Sequence, residues 1–312
     1  MRYSYAVAVF ACGVAVLTGC ANSTNTTSPS SPNSSATTRQ TSAAPTSPAT
    51  SPRSSATTLV AEDLNVPAAA AELQWPPAGV PEGSTGGCDR PTWPKASSIK
   101  AAGNGSRVLV IGDSLTREVA LFSEEQTPTS PRIRAALTKD GWTPTVVCWK
   151  GKTTEWASAE VAELARLNLI PPRVVVATGT NDLWVDNASA ETFTTRATTL
   201  LTALAATTTS SGAPPQVWWV NLWIDTAMAA WNHAREPRDP DMAGYQAYNT
   251  ALKSVCTPQL NCHIVDWHAA VDSDPALAKR IAEPDLDGVH MTMDGASARA
   301  TVIARVLANA TK

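Results

Sequence analysis

Arg107-Val108-Leu109-Val110-Ile111-Gly112-Asp113-Ser114-Leu115 is the stretch whose reading decides the fold. Arg107 to Ile111 reads as an apolar strand, Gly112 permits an abrupt exit from it, and a helix begins near Ser114. Strand, tight turn and helix in immediate succession are the opening of a βαβ unit. The same alternation continues downstream. Further strands are expected at Thr145 to Trp149, Arg173 to Thr178, Gln216 to Trp223 and His263 to Asp266. Helices are expected at Ser114 to Glu124, Ile133 to Lys139, Thr154 to Leu167, Ala190 to Thr208, Tyr245 to Val255 and Asp294 to Ala310. Strands separated by helices predict an α/β fold with a five-stranded parallel sheet.

Ligands of open α/β sheets bind beyond the carboxyl ends of the strands, near a topological switch point. Four short elements fall there. Gly112-Asp113-Ser114-Leu115 follows the first strand, Gly151 the second and Gly179-Thr180-Asn181-Asp182 the third, while Asp287-Gly288-Val289-His290 comes after the fifth, just before the last helix. A serine hydroxyl needs a base to become a nucleophile, and a base needs an orienting partner. Asp287 and His290 stand three apart across a glycine, so one turn can bring the carboxylate to Nδ1 of the imidazole and leave Nε2 to face Ser114. The Ser114 N–H, the Gly151 N–H and the Asn181 amide can each donate to an oxyanion without adding charge. Taken singly, a serine at a helix start is usually a cap, and a glycine between strand and helix is usually a turn. In combination they supply the inventory of serine acyl transfer, which calls for no cofactor and no metal.

These elements resemble the GDSL or SGNH hydrolase superfamily, whose name records its Ser, Gly, Asn and His. The resemblance covers roughly Ser106 to the C-terminus, about two thirds of the chain, with all four blocks in order. It implies Ser114 as nucleophile, His290 as general base and acid, Asp287 as its orienting partner, and an oxyanion hole from Ser114, Gly151 and Asn181. It also implies a flavodoxin-like three-layer α/β/α sandwich with strand order 2-1-3-4-5. Val265-Asp266-Trp267 and the Asp287 to His290 block are similar as well to SGNH domains fused to membrane acyltransferases of cell-surface glycans. The α/β-hydrolase pattern fits less well, because Thr116 stands where its second glycine would be.

Four segments are expected: residues 1–20, 21–58, 59–105 and 106–312. Met1 to Cys20 reads as an export signal, and Leu17-Thr18-Gly19-Cys20 resembles the bacterial lipoprotein box, which implies lipidation of Cys20. Residues 21–58 are almost wholly Ser, Thr, Pro, Ala and Asn, a disordered tether extending at roughly 3 Å per residue where polyproline II persists. Residues 59–105, broken by prolines, read as an irregular extension ahead of the hydrolase domain. The protein is thus expected to be exported and held by lipid at the outer face of the bacterial cell membrane. Cys88, Cys148, Cys256 and Cys262 then remain, an even set that suggests two disulfides. Of three pairings, closeness in sequence favours Cys256 with Cys262, leaving Cys88 to pin the extension to Cys148.

A net charge of -3, without any dense basic run, leaves no footprint for nucleic acid. Eleven tryptophans against three phenylalanines place Trp149, Trp184 and Trp223 near strand ends, as a pocket wall or as core. Asp225 to Asp241 is a candidate substrate lid or a solvated connection. The expected activity is serine esterase hydrolysis of carboxylic esters, lipid or O-acylated glycan. The alternatives are O-acyl transfer to a cell-envelope glycan and a binding lipoprotein without turnover.

Overall fold

The computed structural model describes residues 66–77, 80, 86–88, 90–94, 106–117, 132–226, 244–281 and 287–310. The expected signal, Cys20 and the tether, together with most of the candidate lid, lie outside the described residues. All the described residues fall within one compact unit.

Five strands form a wholly parallel sheet: β1 (Arg107–Gly112), β2 (Thr143–Cys148), β3 (Arg173–Ala177), β4 (Gln216–Val220) and β5 (Cys262–Val265). Their spatial order is β2-β1-β3-β4-β5, as the resemblance implied. β1 lies inside the sheet, with Leu109 paired to Thr145 on one side and to Val174 on the other. Every residue of β1 is buried, because helices cover both faces. On one face Leu109, Ile111, Val174, Val176 and Trp219 pack against α4 (Thr154–Arg166), α6 (Ala190–Ala205) and α7 (Tyr245–Val255). On the other, Val108, Val110, Val175, Trp218 and Val265 pack against α3 (Arg132–Lys139), α8 (Trp267–Asp272), α9 (Pro275–Ile281) and α10 (Met293–Asn309). Among the described residues there are also the short helices α1 (Val66–Ala71) in the extension and α2 (Ser114–Arg117) directly after β1. A further one, α5 (Thr180–Trp184), comes after β3.

Where strand ends differ from expectation, side chains have captured the backbone. β4 stops at Val220, not at Trp223, because Asn249 on α7 accepts from Leu222 N–H at 2.9 Å and donates to Leu222 O at 2.8 Å. That amide replaces the sheet partners and turns the chain toward α7. β2 begins two residues early, at Thr143, and tolerates Pro144 because β2 is an edge strand. Trp267 and His268 belong to α8, whose start is capped by Asp266 accepting from Ala269 N–H at 3.0 Å. The disulfides are Cys88–Cys148 and Cys256–Cys262, the pairing that closeness favoured.

A sheet covered on both faces has no tolerant parity. Leu109→Asp and Val110→Asp, on opposite faces, should each lower unfolding stability by about 4 kcal/mol or more, read from chemical denaturation. Retention of near-native stability by either variant would contradict a two-sided core.

Candidate active site

β1 sits at the switch point of the sheet, with β2 and β3 on either side, so the ends of three neighbouring strands lie side by side. Ser114 opens α2 there and is 5% exposed. Its setting is fixed from below. Asp113 O accepts from Thr116 N–H and Arg117 N–H, each at 3.1 Å, and Asp113 Oδ1 accepts from Leu115 N–H at 3.0 Å. Gly112 is required because a Cβ would overlap the Thr116 hydroxyl.

His290 approaches from the segment before α10. Gly288, at φ +80°, makes the turn that folds Asp287 back on the residues after it. Asp287 Oδ1 accepts from Val289 N–H at 2.9 Å and His290 N–H at 2.7 Å. Its Oδ2 lies 2.7 Å from His290 Nδ1. Burial works against the Asp287 charge, but the His290 side-chain bond, the imidazole's charge and the two backbone N–H donors hold its carboxyl below the ordinary value. An ionised carboxylate only accepts, so Nδ1 carries a proton, and in the neutral form of the ring Nε2 is then the acceptor. That Nε2 stands 2.9 Å from Ser114 Oγ. The turn is tied to the segment after β4 where Asp225 N–H donates to Gly288 O at 2.8 Å, and α10 starts on its Thr292 cap.

Gly151 (φ +70°) lies in the loop after β2, and Asn181 in α5 after β3. The two loops are joined, for Asn181 Nδ2 donates to Lys152 O at 3.1 Å. An amide has two N–H donors, so this bond orients the group and leaves the other for a ligand. Thus a hydroxyl, an imidazole and a carboxylate form one hydrogen-bonded chain, and a separate bond joins Asn181 to the loop that carries Gly151.

Asp182 carries no role in the sequence-based expectation, yet it holds the loops together. Fully buried, it accepts from Thr154 N–H at 2.8 Å, Thr154 Oγ1 at 2.9 Å and Arg196 Nη1 at 2.9 Å. Thr153, the residue at the cap position of α4, makes no side-chain cap bond, so the carboxylate of the next loop caps this helix instead. Burial raises the Asp182 carboxyl above its ordinary value, against the pull of Thr154 and Arg196. The sequence signal was an Asp directly beside Asn181, but its partners are 28 and 14 residues away.

Other expectations resolve by position. Of the three tryptophans, Trp184 lies beside His290, with ring centroids 6.4 Å apart, whereas Trp149 is buried and Trp223 donates to Asp272 Oδ1 at 3.2 Å. His268 also has a carboxylate neighbour, Asp272, at 3.3 Å, with Tyr245 Oη on its other nitrogen. His263 stacks on Trp218, and His233 lies outside the described residues. Among the described residues no group of three His, Cys, Asp or Glu could hold a metal ion.

A model of the GDSL-like lipase/acylhydrolase family matches residues 110–298. Similar solved structures include a lipase/acylhydrolase from Enterococcus faecalis, 19% identical, covering 65% of this chain and 96% of that one at a TM-score of 0.47. The C-terminal catalytic domain of Streptococcus pneumoniae peptidoglycan O-acetyltransferase A is 16% identical, with 66% and 92% covered and a TM-score of 0.45. A carbohydrate acetylesterase from Sinorhizobium meliloti is 16% identical, with 65% and 99% covered and a TM-score of 0.48. No curated protein matches the sequence.

Two buried carboxylates give tests of this geometry. Asp182→Ala would leave the buried Thr154 N–H without its acceptor and take one of three carboxylates from Arg196, which keeps Asp186 and Glu155, lowering stability by about 2 kcal/mol in denaturant titration. Asp113 is fully buried, and among the described residues its Oδ2 has no hydrogen-bond partner. Burial pushes its carboxyl up to about 6, against the Arg299 charge and the Leu115 N–H. The unfolded chain ionises it near 3.8, so the folded state loses stability as pH rises from that value to about 6, and loses no more above it. Asp113→Asn keeps the acceptor for Leu115 N–H and removes the charge. The variant should therefore gain on the native protein by on the order of 3 kcal/mol between about pH 4 and pH 7. A stability difference independent of pH would contradict the assignment.

Proposed function

The chain belongs to the GDSL-like lipase/acylhydrolase family, and from that membership we propose that it is an exported serine esterase acting on carboxylic esters. The observation that carries the reading is the continuous chain from Asp287 Oδ2 through His290 to Ser114 Oγ, at 2.7 and 2.9 Å.

The proposed reaction is a two-step acyl transfer. Ser114 Oγ attacks the ester carbonyl while His290 Nε2 takes its proton, and Asp287 stabilises the imidazolium that forms. The carbonyl oxygen becomes an oxyanion facing the Ser114 N–H, the Gly151 N–H and the free donor of Asn181. Collapse breaks the bond to the alcohol, which leaves with the proton from His290. Water then adds to the acyl-enzyme with His290 again as base, and the carboxylic acid departs from a regenerated Ser114. All the chemical groups required belong to this chain.

The substrates proposed are acyl esters of lipid or of O-acylated glycan. Two disulfides support an oxidising, extracytoplasmic setting. Among the described residues no helix is long and apolar enough to cross a membrane. Attachment is assigned instead to a lipid on Cys20, with residues 21–58 as the tether and 106–312 as the hydrolase domain.

Ser114→Ala should lower kcat on a short-chain aryl ester by about 10⁴ or more while leaving thermal unfolding unchanged. Asn181→Ala should cost about 10² to 10³ and leave measurable turnover, because two backbone donors remain. Full turnover by folded Ser114→Ala protein would overturn the proposal.

A further inference from the structure

The N-terminal extension meets the fold at the loop that carries Gly151. Gly86, Gly87 and Cys88 run antiparallel to the end of β2. Cys88 N–H donates to Cys148 O at 3.0 Å and Lys150 N–H to Gly86 O at 2.8 Å, while Gly87 and Trp149 form an isolated antiparallel bridge. The Cys88–Cys148 disulfide closes the same contact covalently. β2 is the sheet's edge strand, so this short strap pairs backbone groups that lie on the outer side of the site.

The residue types of the strap reflect one packing constraint. A Cβ on Gly87 would overlap the six-membered ring of Trp149, and one on Gly86 would stand 2.8 Å from Trp149 Nε1. Bare backbone therefore lies directly on the indole. Trp75 packs edge-on against that ring, with centroids 5.7 Å apart. Arg90 donates to Leu73 O at 3.1 Å, tying the residues after the strap to those after α1. The extension thus grips Trp149 from more than one direction.

Immediately after Trp149 and Lys150 the chain reaches Gly151, and then Lys152, whose carbonyl orients the Asn181 amide. Two of the three proposed oxyanion donors depend on the placement of residues 149–152. We infer that Gly86–Gly87–Cys88 with its disulfide is a positioning clamp for the oxyanion hole, setting the directions of the Gly151 N–H and the Asn181 amide. The inference rests on the oxyanion roles proposed above. An oxyanion exists only in the tetrahedral transition state and intermediate, so loosening the clamp acts on kcat and leaves substrate binding almost untouched.

The test uses the full chain and an aryl acetate. Gly87→Ala keeps the disulfide and forces the strap off the indole, while the paired change Cys88→Ser with Cys148→Ser keeps the glycines and removes the covalent tie. Each is assayed at a temperature where circular dichroism shows the native fold. The clamp predicts that kcat falls about ten- to a hundredfold with KM within about threefold. It further predicts that Gly87→Ala costs less in an Asn181→Ala background than in the native one, because one of the two donors it positions is already gone and only the Gly151 N–H is left to displace. Should the cysteine pair fail to fold, Gly87→Ala alone decides. A folded Gly87→Ala protein with native kcat, or one whose loss is unchanged in the Asn181→Ala background, overturns the clamp and leaves the serine mechanism standing. Activity that survives Ser114→Ala overturns the serine mechanism instead.

Discussion

The hydrogen bond between His290 Nε2 and Ser114 Oγ joins residues 176 positions apart, and the arrangement of the fold serves to make that contact at 2.9 Å. Each partner is immobilised by its own element. Ser114 is delivered by a strand buried on every residue, through a turn that tolerates no Cβ at Gly112. His290 is delivered by a turn whose N–H groups are held by the same Asp287 that meets its ring. Because the strands are all parallel, their carboxyl ends share one edge, and the switch point at β1 lies there between β2 and β3.

Buried carboxylates complete this edge in two different ways. Asp182 is satisfied on both oxygens, which hold the start of α4 and Arg196, and so ties α5, which bears Asn181, to the helix that follows the Gly151 loop. Asp113 is satisfied on one oxygen only and lies directly beneath the serine, where burial makes its charge costly. In the proposed acyl transfer, developing negative charge is met by neutral donors and by fixed dipoles in place of mobile water.

Much of this was legible in the residues. Apolar strands separated by helical stretches marked the sheet, and Gly112, Gly151, Asn181 and His290 all fell at the same edge of it. The order of the strands came from family resemblance and not from periodicity. What could not be read were the contacts between residues far apart that end or start elements. Asn249 captures Leu222 from 27 residues away and shortens β4, and Asp182 caps α4 from 28 residues away. The prolines of the extension argued against long helices there, yet nothing local showed that Gly86 and Gly87 lie against an indole more than 60 residues ahead.

The central claim is that Ser114 is activated by His290. It is tested most directly by treating the folded chain with a fluorophosphonate and locating the adduct by peptide mass spectrometry. A single adduct on Ser114, lost in His290→Ala protein, is the predicted result. Native protein that remains unlabelled, or that carries its adduct on a different residue, would contradict the account.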